Sequence, residues 1–142
     1  DNELKIRVKN LIQIRSNLQA YFKKEDYSLN HKNIPTKESK FLTDAKEIVL
    51  NNLDNAQFSI EYLSSEIGMS RVQFHRKIKA LTNHSTTHFI RTIRLEQAKQ
   101  LLIENNYNVT EIAYLVGFSS QSYFTKSFIK HFGKPPTSFY KN

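Results

Sequence analysis

One pattern occurs twice in the second half of this chain, and it restricts the fold more than any other feature. Placing Gly68 over Gly117 pairs Ile60 with Val109, Leu63 with Ile112, Ser64 with Ala113, Ile67 with Val116, Met69 with Phe118 and Ser70 with Ser119, an offset of 49 residues. A one-residue insertion after the turn raises the offset to 50. It then pairs Phe74 with Phe124, Arg76 with Lys126, Ile78 with Phe128, Thr86 with Pro136, Phe89 with Phe139 and Arg91 with Lys141. Two diverged copies of one unit must each bury the same apolar stripe, so the spacing within the unit decides the fold class.

That spacing is helical. A short helix is expected from Ile60 to Ile67, capped by Ser59 and stopped at Gly68. Ser70 with Gln73 three residues on is a capping-box pattern that opens a second helix, whose buried stripe is Phe74, Ile78 and Leu81. In the second copy Asn108 and Glu111 supply the cap, and Pro136 suits a first helical position. Between the copies, apolar residues from about Thr86 to Asn105 fall on more than one face. A connecting helix packed by a subdomain at each end has that pattern, and about 20 residues at 1.5 Å each make it near 30 Å long.

Upstream, residues 1–22 read as an amphipathic helix, with Leu4, Val8, Leu11, Leu18 and Phe22 as a stripe that needs a partner and Arg15 interrupting it. Residues 23–38, polar and containing Pro35, read as a linker. Ser39 then caps a helix with Leu42, Ala45, Ile48, Val49 and Leu53 on one face. The expected architecture is all-α: two helix-turn-helix subdomains in residues 39–142 joined by a long connecting helix and preceded by the amphipathic helix and linker.

Composition narrows the function classes. With no cysteine there is no disulfide framework, thiolate nucleophile or Cys-ligated zinc. The longest apolar run, Ile112 to Val116, is far short of the roughly 18 residues that span a bilayer. A start at Asp1 without a charged-then-apolar leader suggests a cytoplasmic piece of something longer. The net charge of +8 is unevenly placed. Met69 to Leu95 carries Arg71, Arg76, Lys77, Lys79, Arg91 and Arg94 with no acid, and Ile112 to the end carries Lys126, Lys130, Lys134 and Lys141, again with none. Two basic patches favour an anionic partner.

In a helix-turn-helix unit the second helix enters the major groove, so its outward face should be able to read bases. At 100° per residue, with Phe74 inward, Val72 and Arg76 lie about 160° away and His75 and Lys79 flank them. With Phe124 inward, Ser122 and Lys126 point out and Thr125 lies alongside. Arg76 suits guanine, Gln121 adenine, and Ser122 and Thr125 either give or take a hydrogen bond, while Val72 suits a thymine methyl. Arg71 and Gln73 complete the base-facing candidates, although Gln73 also serves the cap. Ser70, Lys79, Arg91, Ser119 and Lys130 are the phosphate-contact candidates. Successive major-groove faces are about 34 Å apart, close to the length of the connecting helix.

The stretches FSIEYLSSEIGMSRVQFHRKIKAL, FIRTIRLEQAKQLL and VTEIAYLVGFSSQSYFTKSFIKHFGKPPTSF resemble the DNA-binding domain of AraC-type transcription regulators. The resemblance implies seven helices and two helix-turn-helix units, with base-facing positions at Val72, His75, Arg76, Gln121, Ser122, Thr125 and Lys126. The helix of residues 1–22, the linker and the stretch KFLTDAKEIVLNNLDNAQFSIEYLSSEIGMSRVQFHRKIKALTN resemble the C-terminal output region of hybrid two-component regulators. In such a protein a sensor kinase and a receiver precede this domain in the same chain, so the full-length protein could be anchored in the inner membrane. The partners implied are double-stranded DNA, RNA polymerase, and a second copy of the full-length protein as a homodimer; no cofactor and no membrane contact by this segment are implied.

Three rival readings exist. His84 and His88 stand at i, i+4, a spacing able to bind zinc, but no third ligand lies nearby in sequence, so no metal site and no enzyme activity are expected. The domain could instead belong to a stand-alone regulator with an upstream effector-binding domain, or the helix pair could have turned to binding protein. Both basic blocks remain intact, which argues against the last.

Overall fold

A computed structural model describes residues 36–141. Its elements are α1 (Thr36–Asn51), α2 (Ile60–Ile67), α3 (Arg71–Thr82), α4 (Thr86–Glu104), α5 (Val109–Leu115), α6 (Gln121–Phe132) and a closing 3-10 turn, Pro136–Phe139. No strand occurs among the described residues. The expected helix of residues 1–22 and nearly all of the expected linker lie outside them.

Most local signals act at the positions expected of them. Ser59 accepts a hydrogen bond from the Tyr62 amide at the start of α2. Ser70 and Gln73 form a complete capping box on α3, as Asn108 and Glu111 do on α5. Each box satisfies two amides that the first helical turn leaves unpaired.

Two expectations need correction. The sequence pattern puts the end of the linker at residue 38 and makes Ser39 a cap, but α1 already begins at Thr36. Glu38 in the first turn suits the positive end of the helix dipole and so supports the earlier start, which places Ser39 inside the helix. The pairing of Ser70 with Ser119 also fails. The residue that caps α6 is Ser120, which accepts from the Tyr123 amide at 3.1 Å. Ser119 is therefore the inserted residue, and the 50-residue offset begins one position earlier than the sequence pairing places it, at Ser70.

The duplication extends to the backbone. Gly68 and Gly117 both adopt positive φ, 88° and 94°. After each, an amide returns to the first helix of its unit: Met69 to the Ser64 carbonyl and Phe118 to the Ala113 carbonyl, both at 2.9 Å. The second helices end alike, with Asn83 at φ 63° and Gly133 at φ 76°, 50 residues apart. The third helical piece of each unit starts at a buried residue, Thr86 in the first and Pro136 in the second.

One continuous apolar core runs through both units. From α1 it takes Phe41, Leu42, Ala45, Val49 and Leu50, and from α3 Phe74 and Ile78; Leu81 and Ile48 are only partly buried against it. The second unit supplies Ile112, Ala113, Val116, Phe118, Phe124 and Phe128. Helix α4 lies between the units with ten buried residues, among them Phe89, Ile93, Leu95 and Leu102. Burial on several faces explains why this helix shows no single stripe. Its 19 residues make it about 28 Å long.

Candidate nucleic-acid interface

Both second helices turn the same kind of face outward. In α3, Phe74 and Ile78 are fully buried, which directs Arg71, Val72, Gln73, His75, Arg76 and Lys79 to the exposed surface. Val72 is 63% exposed, the most exposed of the large apolar side chains described. No packing contact accounts for an apolar residue opposite the core, whereas a thymine methyl would. In α6, burial of Phe124 and Phe128 exposes Gln121, Ser122, Lys126 and Lys130 and leaves Thr125 half-buried. Neither helix contains a carboxylate.

The candidate side chains fall into tethered and untethered groups. Arg71 Nη1 donates to Glu61 Oε1 of α2, and in the second unit Thr110 Oγ1 donates to Gln121 Oε1. Arg71 and Gln121 are equivalent by the repeat, and so are Glu61 and Thr110, so each unit ties the first residue of its outward helix to the first turn of the helix before it. The chemistry differs, an ion pair in one unit and a neutral hydrogen bond in the other. A hydrogen bond from its own backbone amide lowers the pKa of the Glu61 carboxyl from its ordinary value, and Arg71 adds to this.

His75 is tethered as well, its Nδ1 lying 3.0 Å from Thr86 Oγ1. Thr125 is its counterpart in the repeat, but the position equivalent to Thr86 is Pro136, which has no hydroxyl to offer. Gln73 is engaged by its capping box, and Lys79 Nζ reaches the Asn83 carbonyl at 3.3 Å. Among the described residues Arg76 and Lys126, again equivalent positions, make no ion pair and remain available.

Other cations are committed to structure. Lys77 Nζ sits 4.7 Å from the Phe41 ring centroid, and Lys99 Nζ lies near the rings of Phe132 and Phe139. His84 and His88 stack ring on ring with centroids 4.0 Å apart. Burial, assisted by the charges of His84 and Arg91, lowers the His88 pKa from its ordinary value. No cluster of three metal-ligating side chains occurs among the described residues, and no described helix is long and apolar enough to cross a membrane.

A cleft of about 330 Å³ separates the units on one side, lined by Phe58, Ser59 and Ile60 of the first, Thr87, Ile90, Arg91 and Arg94 of α4, and Gly117, Phe118, Ser119 and Tyr123 of the second. It brings together two phosphate-contact candidates, Arg91 and Ser119, but not Ser70, Lys79 or Lys130. Arg94 is a lining residue that sequence reasoning does not single out. The signal for it is an arginine embedded among the apolar positions Ile90, Ile93, Leu95 and Ala98 of the connecting helix.

These features define a duplicated helix-turn-helix domain. A family profile described as a helix-turn-helix domain matches residues 63–142, and the chain belongs to that family, the DNA-binding domains of AraC-type transcription regulators. A histidine kinase of Formosa agariphila, named P4, is 38% identical over 138 residues, covering 96% of this chain and 10% of the kinase. A crystal structure of an AraC-type transcriptional regulator from Chromobacterium violaceum superposes with a TM-score of 0.67 at 25% identity, over 74% of this chain and 93% of that one. The DNA-binding domain of AdpA, a global transcriptional factor solved with a target DNA, superposes with a TM-score of 0.61 at 31% identity, over 69% and 87% of the two chains. This chain therefore spans only about a tenth of the curated relative that it matches along nearly all its length.

Proposed function

We propose that this domain binds double-stranded DNA sequence-specifically by seating α3 and α6 in successive major grooves, as the output of a two-component regulator. The observation that carries the reading is the repeated outward face, exposed at equivalent positions, free of carboxylates and presenting an available cation in each unit, Arg76 and Lys126. Arg76, Val72, Ser122, Thr125, Lys126 and Gln121 read base edges in this scheme. Arg71, Gln73 and His75 contribute from the margins of the face, where their tethers fix their direction. Arg91, Ser119, Ser70, Lys79 and Lys130 meet phosphates. The solved AdpA complex supports DNA as the partner. The kinase relative supports the phosphorelay context, in which upstream domains would supply the signal, a full-length dimer and the membrane anchor. Contact with RNA polymerase would then follow from occupancy of a promoter.

The test has two parts. Affinity for duplex DNA should fall with salt at a log–log slope of about −5, as expected for about six phosphate contacts. On duplexes selected from a random pool, Arg76→Ala should cost about 1–3 kcal/mol and on unselected duplex much less. A flat salt response would contradict DNA binding. Equal loss on both duplex sets would reduce Arg76 to a backbone contact.

A further inference from the structure

The connecting helix alone does not determine how the two outward helices sit relative to each other, because a helix can be gripped at each end by units that still pivot. A second contact between the units removes that freedom, and it is built around one side chain. Arg94 of α4 donates from Nη1 to the Gly117 carbonyl at 2.9 Å. Its guanidinium lies 6.0 Å from the centroid of the Phe58 ring, which stands just before α2. Gly117 is the turn glycine of the second unit. A Cβ there would stand 2.6 Å from the Leu53 carbonyl, at the end of the first unit's leading segment, and 3.1 Å from Arg94 Cζ. The two units therefore meet backbone to backbone at Gly117, with Arg94 wedged beside the junction.

Partial burial sets this arginine apart from the solvated cations of the surface. Its Nε is enclosed without a hydrogen-bond partner, and burial lowers its pKa from the usual value. A half-buried guanidinium with an enclosed, unmet donor is costly and is not needed merely to fill space, since a methionine has similar reach. Beside it on α4, Ile90, Ile93 and Leu95 are the buried apolar residues that simple packing calls for, and the buried polar residues Glu96 and Gln97 follow.

We infer that Arg94 is a positioning residue that sets the mutual orientation, and hence the half-site spacing, of α3 and α6 through its junction with Gly117 and Phe58. The inference rests on the two-groove reading for its purpose but not for its geometry. The chain has no cysteine of its own, so nitroxide labels on Val72→Cys and Ser122→Cys report the separation of the two helices in the 142-residue chain without DNA. Pulsed dipolar spectroscopy should give one narrow distance distribution, and Arg94→Met should at least double its width.

In unlabelled chain, Arg94→Met should bind the wild-type-selected two-half-site duplex about tenfold more weakly, bind a single half-site within twofold of wild type, and accept spacers one or two base pairs longer. A purely structural role would weaken both duplexes alike and leave the spacer preference intact. An unchanged distance width would overturn the inference. If Arg94→Met loses its helical circular dichroism, Phe58→Leu, which removes only the ring beside the guanidinium, is read by the same width, and no broadening there overturns it equally. Broadening in a chain that selects no bipartite duplex supports the junction and sinks the two-groove reading.

Discussion

Phe124→Ala should lower the unfolding free energy by about 3–5 kcal/mol, the range for emptying a fully enclosed aromatic site. Phe124 has no exposed surface. Its ring centroid lies 5.2 Å from that of Phe118 and 5.6 Å from that of Phe128. Phe128 continues the chain of rings to Phe132 and Phe139, so the second unit is held largely by aromatic contacts that a methyl group cannot replace. Urea denaturation followed by circular dichroism measures the loss, and Val72→Ala on the exposed face should stay within about 0.5 kcal/mol of wild type. A loss below about 1 kcal/mol for Phe124→Ala would mean that the cluster is not the core of that unit.

The second large effect distinguishes two glycines that look equivalent in sequence. Gly68→Ala meets no atom within 4 Å, so it should cost only the left-handed strain at φ 88°, about 1–2 kcal/mol. Gly117→Ala carries the same strain and also drives a methyl against the Leu53 carbonyl. That oxygen is backbone and cannot rotate aside, which adds about 1–3 kcal/mol of overpacking. Denaturation should therefore find Gly117→Ala the less stable variant. Equal losses would show that the units can part at the junction without penalty.

These two glycines also show how far the sequence can be read. Their shared role in a turn is visible because a glycine between two apolar stripes recurs at one offset. The extra constraint on Gly117 is not visible, because its cause lies 64 positions away at Leu53. Caps are legible for the opposite reason: Ser59, Ser70 with Gln73, and Asn108 with Glu111 act on amides within three residues. The cap of α6 escapes the sequence pairing because Ser119 and Ser120 are adjacent and chemically identical, and only the backbone path decides between them.

Helix α1 is half legible. Of its expected stripe, Leu42, Ala45 and Val49 are buried and Ile48 is partly buried, while Leu53 is buried in the turn that follows the helix rather than on it. Phe41, Leu50 and the nearly inaccessible Lys46 are buried too, because the helix packs against both α2 and α4 and so buries a wider arc than one stripe. On the outward faces, angular position alone identifies which side chains are exposed. It cannot show that Arg71, His75 and Gln121 are tethered to neighbouring helices, since each tether joins residues 10 or 11 positions apart across a turn.

The central claim is that α3 and α6 occupy successive major grooves on one face of a duplex. Dimethyl sulfate interference tests it directly, because methylation at guanine N7 blocks only what enters the major groove. On a duplex selected by this chain, interference should appear in two clusters whose centres are about 10 base pairs apart, with the Arg76→Ala variant insensitive in one cluster alone. A single cluster, or two separated by about half a helical turn, would contradict the account.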